Sequence, residues 1–581
     1  MQLEDYLKMQ CSIDMCKPGL KKIIPTIDGM NDVLYYHNCP ACVYTALRRD
    51  CLVTPKIDPN MLREFKQWYD PVFEQEIIPL LSDFVYDVNA YYNHLTAKQK
   101  ALHWKVRENI SGCSNQEDIN EYLMQRKYNM FCKCEKQEIT DPNKHPKNRC
   151  ITGPNEEYKY VMGPVVHRLE KIFKKNFKGY CSGRSWEDRE RILNTRHKMG
   201  MRQTIQGDGS GFDRTQFFEL KFIEMRIYAW LADNNKITHV QPHVFLKHAL
   251  EQFVTIEAKS IIKNGKSTEF YRLGKVVKEG GVQSGNCDTT FGNTMRMACY
   301  NRFIFEHMLC KDRDAYDLDA AGDDFGVYVP PDWDIGEIER AYYKVFAGSK
   351  SGLADWKTAE HGLGQILKFL KVSDIEGTDF CSTETFYCKG CNSYRITRKL
   401  DRFLTLTPWS HSALAMSAEE QRSYMHALHD ANEMWMKGLP IFTEYNDWLL
   451  KFAPQAKANP KKTKTPKHKY PDVLPVNPKI LKAYHDTDEA YFKNLLARGL
   501  EKDEAYAMYT RVSPKQPCCA DSYRKYLTRA YGVTSDEIRL TQDALTHQWN
   551  TRIPFDFLRK ICDVKADYDA SMMNGQQASF E

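Results

Sequence analysis

At 581 residues the chain is long enough for roughly two to four packed subdomains with sizeable cores. Hydrophobic residues make up 42% and charged residues 27%, which excludes a disordered or fibrous chain, and no apolar run approaches the ~20 residues that span a bilayer. The formal charge of +6 is too small to point to nucleic acid by itself, so local basic clusters have to carry any such argument.

The opening MQLEDYLKMQ lacks the apolar core of a signal peptide. The 19 cysteines, an odd count, read as reduced thiols of a cytosol-like compartment rather than a disulfide framework. Cys11 and Cys16, followed by Cys39 and Cys42 in HNCPAC, have zinc-ligand character, because paired thiolates can grip one tetrahedral ion. A structural Zn²⁺ there is one expectation, and packing as small buried hydrophobes is the other. The pairs in FCKC (Cys132, Cys134) and YCKGC (Cys388, Cys391) are similarly loose.

Residues 59–109 read as mostly helical. KHPKNRCITGPNEEYKYVMGPVVHRLEKIFKK then sets basic residues around a short β-prone run at 149–152, followed by a helix with apolar residues at helical spacing. TIQGDGSGF (204–212) predicts a strand ending in a Gly-rich bend. TQFFELKFIEMRIYAWLADN predicts one long amphipathic helix, with Phe218, Phe222, Met225 and Trp230 among its apolar positions. SIIKNGKSTEFYRL carries the Asn264-Gly265 pair of a tight hairpin. GGVQSGNCDTTFGNTMRMACYNRFIFEHML is a Gly-rich loop feeding a helix, and YDLDAAGDDFGVYV reads as strand, turn, strand. Beyond Tyr394 the pattern is largely helical. A Pro- and Lys-rich stretch at 453–479 interrupts it, read as a solvated linker or a loop touching nucleic-acid phosphates.

Three pieces carry chemistry. Asp208 ends a strand and Asp213 follows as the chain enters a helix. Ser284 and Gly285 lie in a loop, with Thr289 and Asn293 four residues apart on one face of the next helix. Gly322, Asp323 and Asp324 form the third. Taken singly, each has a plain reading, such as surface acids or an acidic turn of the kind Gly and Asp favour. Together they suit nucleotidyl transfer, which needs two divalent ions about 4 Å apart to activate a 3′-hydroxyl and hold a triphosphate. Hard oxygen ligands suit Mg²⁺. Asp208 and Asp323 at neighbouring strand ends meet that demand, with Asp324 beside them. Asp213 with Asn293 is placed to hydrogen-bond a 2′-hydroxyl, the group that marks a ribonucleotide.

In this order the three stretches resemble motifs A, B and C of the right-hand RNA-dependent RNA polymerases of positive-strand RNA viruses, with flanking matches to tombusvirus-like and nodavirus-like members. KNRCITGPNEEYKYVMGPVVHRLE resembles motif F, which implies that Lys147 and Arg149 meet incoming phosphates. That family carries a second arginine after a Gln-Pro pair; this chain has TGPNEEYK instead, with Lys159 as the candidate replacement. GLGQILKFLKVSDIEGTDFCST resembles motifs D and E. It implies Lys368 or Lys371 as the lysine that protonates the pyrophosphate leaving group, and Cys381 and Ser382 in the turn that grips the primer. The likeness runs, with gaps, over residues 86–410.

The resemblance implies an α+β right hand. It sets an N-terminal extension at 1–85, fingers at 86–203 and 233–279, and a palm with an antiparallel sheet at 204–232 (motif A) and 280–388 (motifs B to E). A thumb and helical C-terminal region follow at 389–581. It further implies two Mg²⁺ (or Mn²⁺) ions on Asp208, Asp323 and Asp324. Nucleotide contacts fall to Lys147, Arg149, Lys159, Asp213, Ser284, Gly285, Thr289 and Asn293, with Ser284 and Gly285 as a flexible loop. The partners implied are template and product RNA, nucleoside triphosphates, and other viral or host replication proteins. The place implied is the host-cell cytoplasm, at membrane-associated replication complexes. A reverse transcriptase shares this chemistry, but Asn293 and Gly322 argue for RNA synthesis. A non-catalytic RNA-binding scaffold is the other rival, and the presence of every expected carboxylate argues against it.

Overall fold

Helix and strand alternate through most of the chain. The computed structural model describes residues 20–26, 33–35, 42–43, 46, 54–139, 149–264, 267–455 and 517–547. Lys147, Cys11, Cys16, Cys39 and most of the Lys/Pro stretch at 453–479 lie outside the described residues.

A six-stranded sheet organises the middle of the molecule. Its order is Phe346–Ala347, Gln365–Asp374, Gln203–Gly209, Asp324–Val329, Asp317–Ala321, Gly179–Tyr180. The four inner strands are antiparallel neighbours, and the two short edge strands pair in parallel. The central strand Gln203–Gly209 is buried along most of its length, as a strand covered on both faces must be. Helices Glu156–Asn176, Phe222–Asp233, Thr289–Arg302 and Ile335–Val345 pack Phe173, Ile227, Met295 and Tyr342 into one core with Ile205, Phe325 and Val327 of the sheet.

The long helix expected at 215–234 is divided into a 3-10 turn, Phe218–Lys221, and a helix, Phe222–Asp233. Tertiary bonds override the local pattern here. The Gln216 carbonyl accepts the Gly281 N–H (2.7 Å), and its side-chain amide donates to Gln365 Oε1 (2.6 Å). These bonds hold the chain extended at Phe217 before the helix can start.

A second sheet, ordered Cys150–Pro154, Tyr128–Cys132, Phe253–Asn264, Ser267–Glu279, stands on the other side of the Ser284 loop. Its hairpin closes at Asn264↔Ser267, where the sequence places its turn. A separate core gathers the C-terminal helices, with Phe403, Tyr445, Trp448, Tyr523 and Leu527. The residues ahead of 86 contribute to both cores. Ile23 and Ile24 join the C-terminal one. Helix Pro59–Val72, capped by Asp58, buries Phe65 and Tyr69 in the main one. Among the described residues no helix is long and apolar enough to cross a membrane.

Candidate active site

Strand register brings the acidic residues together. Asp324 is the direct cross-strand partner of Asp208. The Gly209 N–H donates to the Asp323 carbonyl (3.1 Å), so the turn is tied to the end of the central strand. Gly322 turns the chain at φ +67°, a left-handed conformation that glycine adopts without steric cost. Asp323 is exposed, while Asp208 and Asp324 are partly buried.

Electrostatics mark the cluster as short of positive charge. Burial raises the Asp208 carboxyl; the Lys368 ammonium opposes that and Asp323 adds to it. Burial, then Asp208, Asp323 and Asp379, push the Asp324 carboxyl up to about 7. The Lys368 ammonium sits 3.1 Å from Asp208 Oδ2 and is the cation nearest to hand. The carboxylate oxygens do not converge on a single point; among the described residues the one tight group of potential metal ligands is a set of four cysteines elsewhere.

A raised acid costs stability once the unfolded form has ionised. Asp324 binds its proton to about pH 7 folded, against an ordinary value of 3.8. Stability of the metal-free protein therefore falls as pH rises from about 4 to about 7 and is level above that. Asp324→Asn is expected to raise metal-free stability by about 1–3 kcal/mol at pH 8 and by almost nothing at pH 4. Urea unfolding at the two pH values in chelator measures this; an equal effect at both would sink it.

Helix Thr289–Arg302 lies behind the turn and serves two neighbours. The Thr294 hydroxyl accepts the Gly322 N–H (3.0 Å), and the adjacent Asn293 donates its amide to Asp213 Oδ1 (2.6 Å). Arg296 fixes the Asn293 orientation by donating to its Oδ1 (2.7 Å), and is itself paired with the buried Glu224. Thr289 does not share the Asn293 contact. Its hydroxyl donates to the Gln283 carbonyl (2.7 Å), closing the loop that starts the helix.

The Ser284–Gly285 segment is stitched to strand Cys150–Pro154. Ser284 Oγ accepts the Thr152 N–H and donates to the Cys150 carbonyl, each at 3.1 Å, and the Gly285 N–H donates to the Thr152 carbonyl (3.0 Å). A Cβ at Gly285 would lie 2.8 Å from Gly153 Cα and 2.9 Å from the Thr152 carbonyl oxygen. The glycine is thus required by close backbone approach, not by the conformational freedom expected of a flexible loop. Arg149 stands just ahead of this strand, exposed, 3.7 Å from Glu135, and its charge is felt at Asp208. Lys159 is taken up by Glu156 at 2.6 Å.

Of the two lysines on strand Gln365–Asp374, only Lys368 meets Asp208. It sits at a register shift between Leu367 and Phe369, which lets its side chain reach that carboxylate. Lys371 pairs with Gln206 further along; burial lowers its pKa and Asp379 opposes the shift. Cys381 and Ser382 occupy consecutive left-handed positions, φ +53° and +60°, in the turn before strand Thr383–Cys388. Arg402 donates to Ser382 Oγ (2.6 Å), and Arg189 donates to the Phe380 carbonyl (3.2 Å), bracing a turn that two non-glycine residues make costly. The Cys381 thiol reaches Asp324.

Arg196, Glu224, Thr294 and Arg296 all support the site and were not singled out from sequence. Arg296 is the one that had a signal: it lies three residues after Asn293, on the same helical face.

No protein-family model matches the chain, and no curated protein matches it. Among solved structures it is similar to a Sicinivirus 3Dpol RNA-dependent RNA polymerase, at 14% identity and a TM-score of 0.39. That match covers 60% of this chain and 66% of the other, a little under two thirds of its length.

Proposed function

We propose that the chain synthesises RNA on an RNA template from ribonucleoside triphosphates, as a right-hand polymerase of the tombusvirus-like and nodavirus-like kind. The observation that carries this reading is the cross-strand pairing of Asp208 with Asp324, with Asp323 in the adjoining turn and Asp213 bonded to Asn293 of the neighbouring helix. In this reading the six-stranded sheet is the palm, the sheet over the Ser284 loop belongs to the fingers, and the C-terminal core is the thumb.

Two Mg²⁺ or Mn²⁺ ions suit the donor set, because clustered carboxylates raised by burial and mutual repulsion are stabilised by cations and offer hard oxygen ligands. Asp208 and Asp323 would hold them, with Asp324 in support. When bound, the ions supply activation of the 3′-hydroxyl and charge neutralisation on the triphosphate. Arg149, with Lys147, receives the incoming phosphates. Cys381 and Ser382 present the primer end. RNA is held through its backbone, and base choice is left to pairing with the template. Replication proteins of virus or host, at membrane-associated sites in the cytoplasm, complete the setting.

Lys368 is the stronger candidate to deliver a proton to pyrophosphate, since it already stands at the carboxylates. Lys368→Ala is expected to slow single-turnover incorporation by ~10²-fold or more, and Lys371→Ala by much less. The reverse ranking would move the role to Lys371.

The Asp213–Asn293 pair reads the sugar. Asn293→Ala is expected to cut discrimination against deoxynucleotides by about 3- to 10-fold, the worth of one neutral hydrogen bond. Paired rNTP and dNTP incorporation on one template measures it, and unchanged discrimination would remove the role.

Primer extension on RNA, with and without a primer and across Mg²⁺ and Mn²⁺, tests the function as a whole. Deoxynucleotide preference would favour a reverse transcriptase. RNA binding with no metal-dependent synthesis would favour a scaffold.

A further inference from the structure

Four cysteines that the polymerase chemistry does not use meet at one place. Cys388 and Cys391 lie at the tip of the hairpin formed by strands Thr383–Cys388 and Ser393–Arg398, and Cys518 and Cys519 lie in the first turn of helix Pro517–Tyr531. Their sulfurs all lie within 4.8 Å of one another. The separations Cys388–Cys518, Cys391–Cys518 and Cys391–Cys519 are 3.6, 3.5 and 3.6 Å. We propose that Cys388, Cys391, Cys518 and Cys519 form a structural tetrathiolate zinc site that fastens the hairpin to the C-terminal helix.

The distances decide among the ways four thiols can share a site. A disulfide requires sulfurs ~2.05 Å apart, well inside any of these separations. A regular tetrahedron with zinc–sulfur bonds of ~2.3 Å has edges of ~3.8 Å, close to those observed. Cysteines packed only as small hydrophobes have no reason to turn all four sulfurs to a common centre. The Cys391 N–H donates to Cys388 Sγ (3.4 Å), and a ligating thiolate gains from such a bond. Cys391 and Cys518 are partly exposed, which gives an ion a way in.

The surroundings are shaped for this approach. A Cβ at Gly390, between the first two ligands, would lie 2.3 Å from Cys518 Cβ and 2.7 Å from its sulfur, so the two elements can close only over a glycine. The Lys389 N–H donates to Ser522 Oγ (3.3 Å) on the same helix. Glu384 meets Tyr523 and Tyr531, and Arg529 reaches Glu376 (2.6 Å), so the thiols are brought together by contacts independent of any ion. Binding is proton-balanced and involves no redox step: Zn²⁺ replaces four thiol protons, which pass to solvent. The hairpin carries Phe386 into the C-terminal core and Tyr394 and Ile396 into a cluster against the central sheet. Zinc there would couple the primer-side turn at Cys381 to the C-terminal helices.

The test uses the full chain, purified without a histidine tag under reducing conditions, with metals counted by mass spectrometry. About one zinc per chain is expected, lost in Cys391→Ser/Cys518→Ser and kept in Cys11→Ser/Cys39→Ser. Zinc content that does not fall by about one per chain in the first variant, or that falls only in the second, overturns the proposal. X-ray absorption on the unmodified protein guards against a variant that fails to fold: four sulfurs at ~2.3 Å are expected. Nitrogen in the shell, iron in place of zinc, no metal, or a disulfide among the four in non-reducing peptide mapping overturns it.

Discussion

Asp323→Ala is expected to lower RNA synthesis by ~10³-fold or more while leaving stability within about 0.5 kcal/mol of the unaltered protein. Both halves follow from position. The side chain is exposed at the tip of a turn whose backbone does the structural work, through the Gly209 N–H on the Asp323 carbonyl and the Thr294 hydroxyl on the Gly322 N–H. An alanine keeps both bonds. It removes a carboxylate whose charge raises Asp208 and Asp324, so the fold loses a repulsion rather than a contact. In the proposed reaction the variant would lack one carboxylate ligand for the cations that nucleotidyl transfer requires. Primer extension with saturating Mg²⁺ or Mn²⁺, alongside a urea melt, measures the two quantities. Normal extension by a folded variant would end the assignment of Asp323 as a metal ligand.

The site was legible where short local patterns determine it. Gly-Asp-Asp between two β-prone runs specifies a turn, and a turn between adjacent strands presents its carboxylates at a sheet end. Thr289 and Asn293 share a helical face by spacing alone, yet spacing could not say that Thr289 closes its own loop while Asn293 turns to Asp213. That difference depends on which element covers each turn of the helix. The choice between Lys368 and Lys371 was likewise closed to sequence, since a register shift at Leu367/Phe369 decides which one reaches Asp208. The broken helix at Phe218–Lys221 arose from tertiary bonds to Gln216 that no periodicity encodes. Cysteines 127 residues apart, such as Cys391 and Cys518, become neighbours only through the docking of a hairpin on a distant helix.

Arg196 shows the same limit with the largest energetic consequence. It lies on helix Trp186–Lys198, is 2% exposed, and spends its whole guanidinium on the strand that leads into the acidic turn. Nε donates to Asp317 Oδ2 (2.8 Å), and Nη1 and Nη2 donate to the two Asp319 oxygens (2.6 and 2.9 Å). Asp317 and Asp319 fall two apart on one face of that strand, so one buried cation serves both. Burial alone would raise the two carboxyls, but Arg196 outweighs it and holds both below the ordinary range. Arg196→Met is expected to cost about 3–5 kcal/mol, because the buried Asp319 and the partly buried Asp317 lose their main partner. The pH dependence should reverse as well. With Arg196 present the depressed carboxyls contribute stability above about pH 4, lost as the pH falls through their folded values. Without it burial raises them, so stability should decline as the pH rises from about 4 toward 7. Adding Asp317→Asn and Asp319→Asn to the variant should recover much of the loss at neutral pH and flatten that slope. Chemical unfolding of the three proteins at pH 3, pH 5 and pH 7.5 measures all of this. A penalty under about 1 kcal/mol, or a variant whose stability falls no more steeply from pH 5 to pH 7.5 than the unaltered protein's, would show that water or Arg184, 3.4 Å from Asp319, already satisfies the pair.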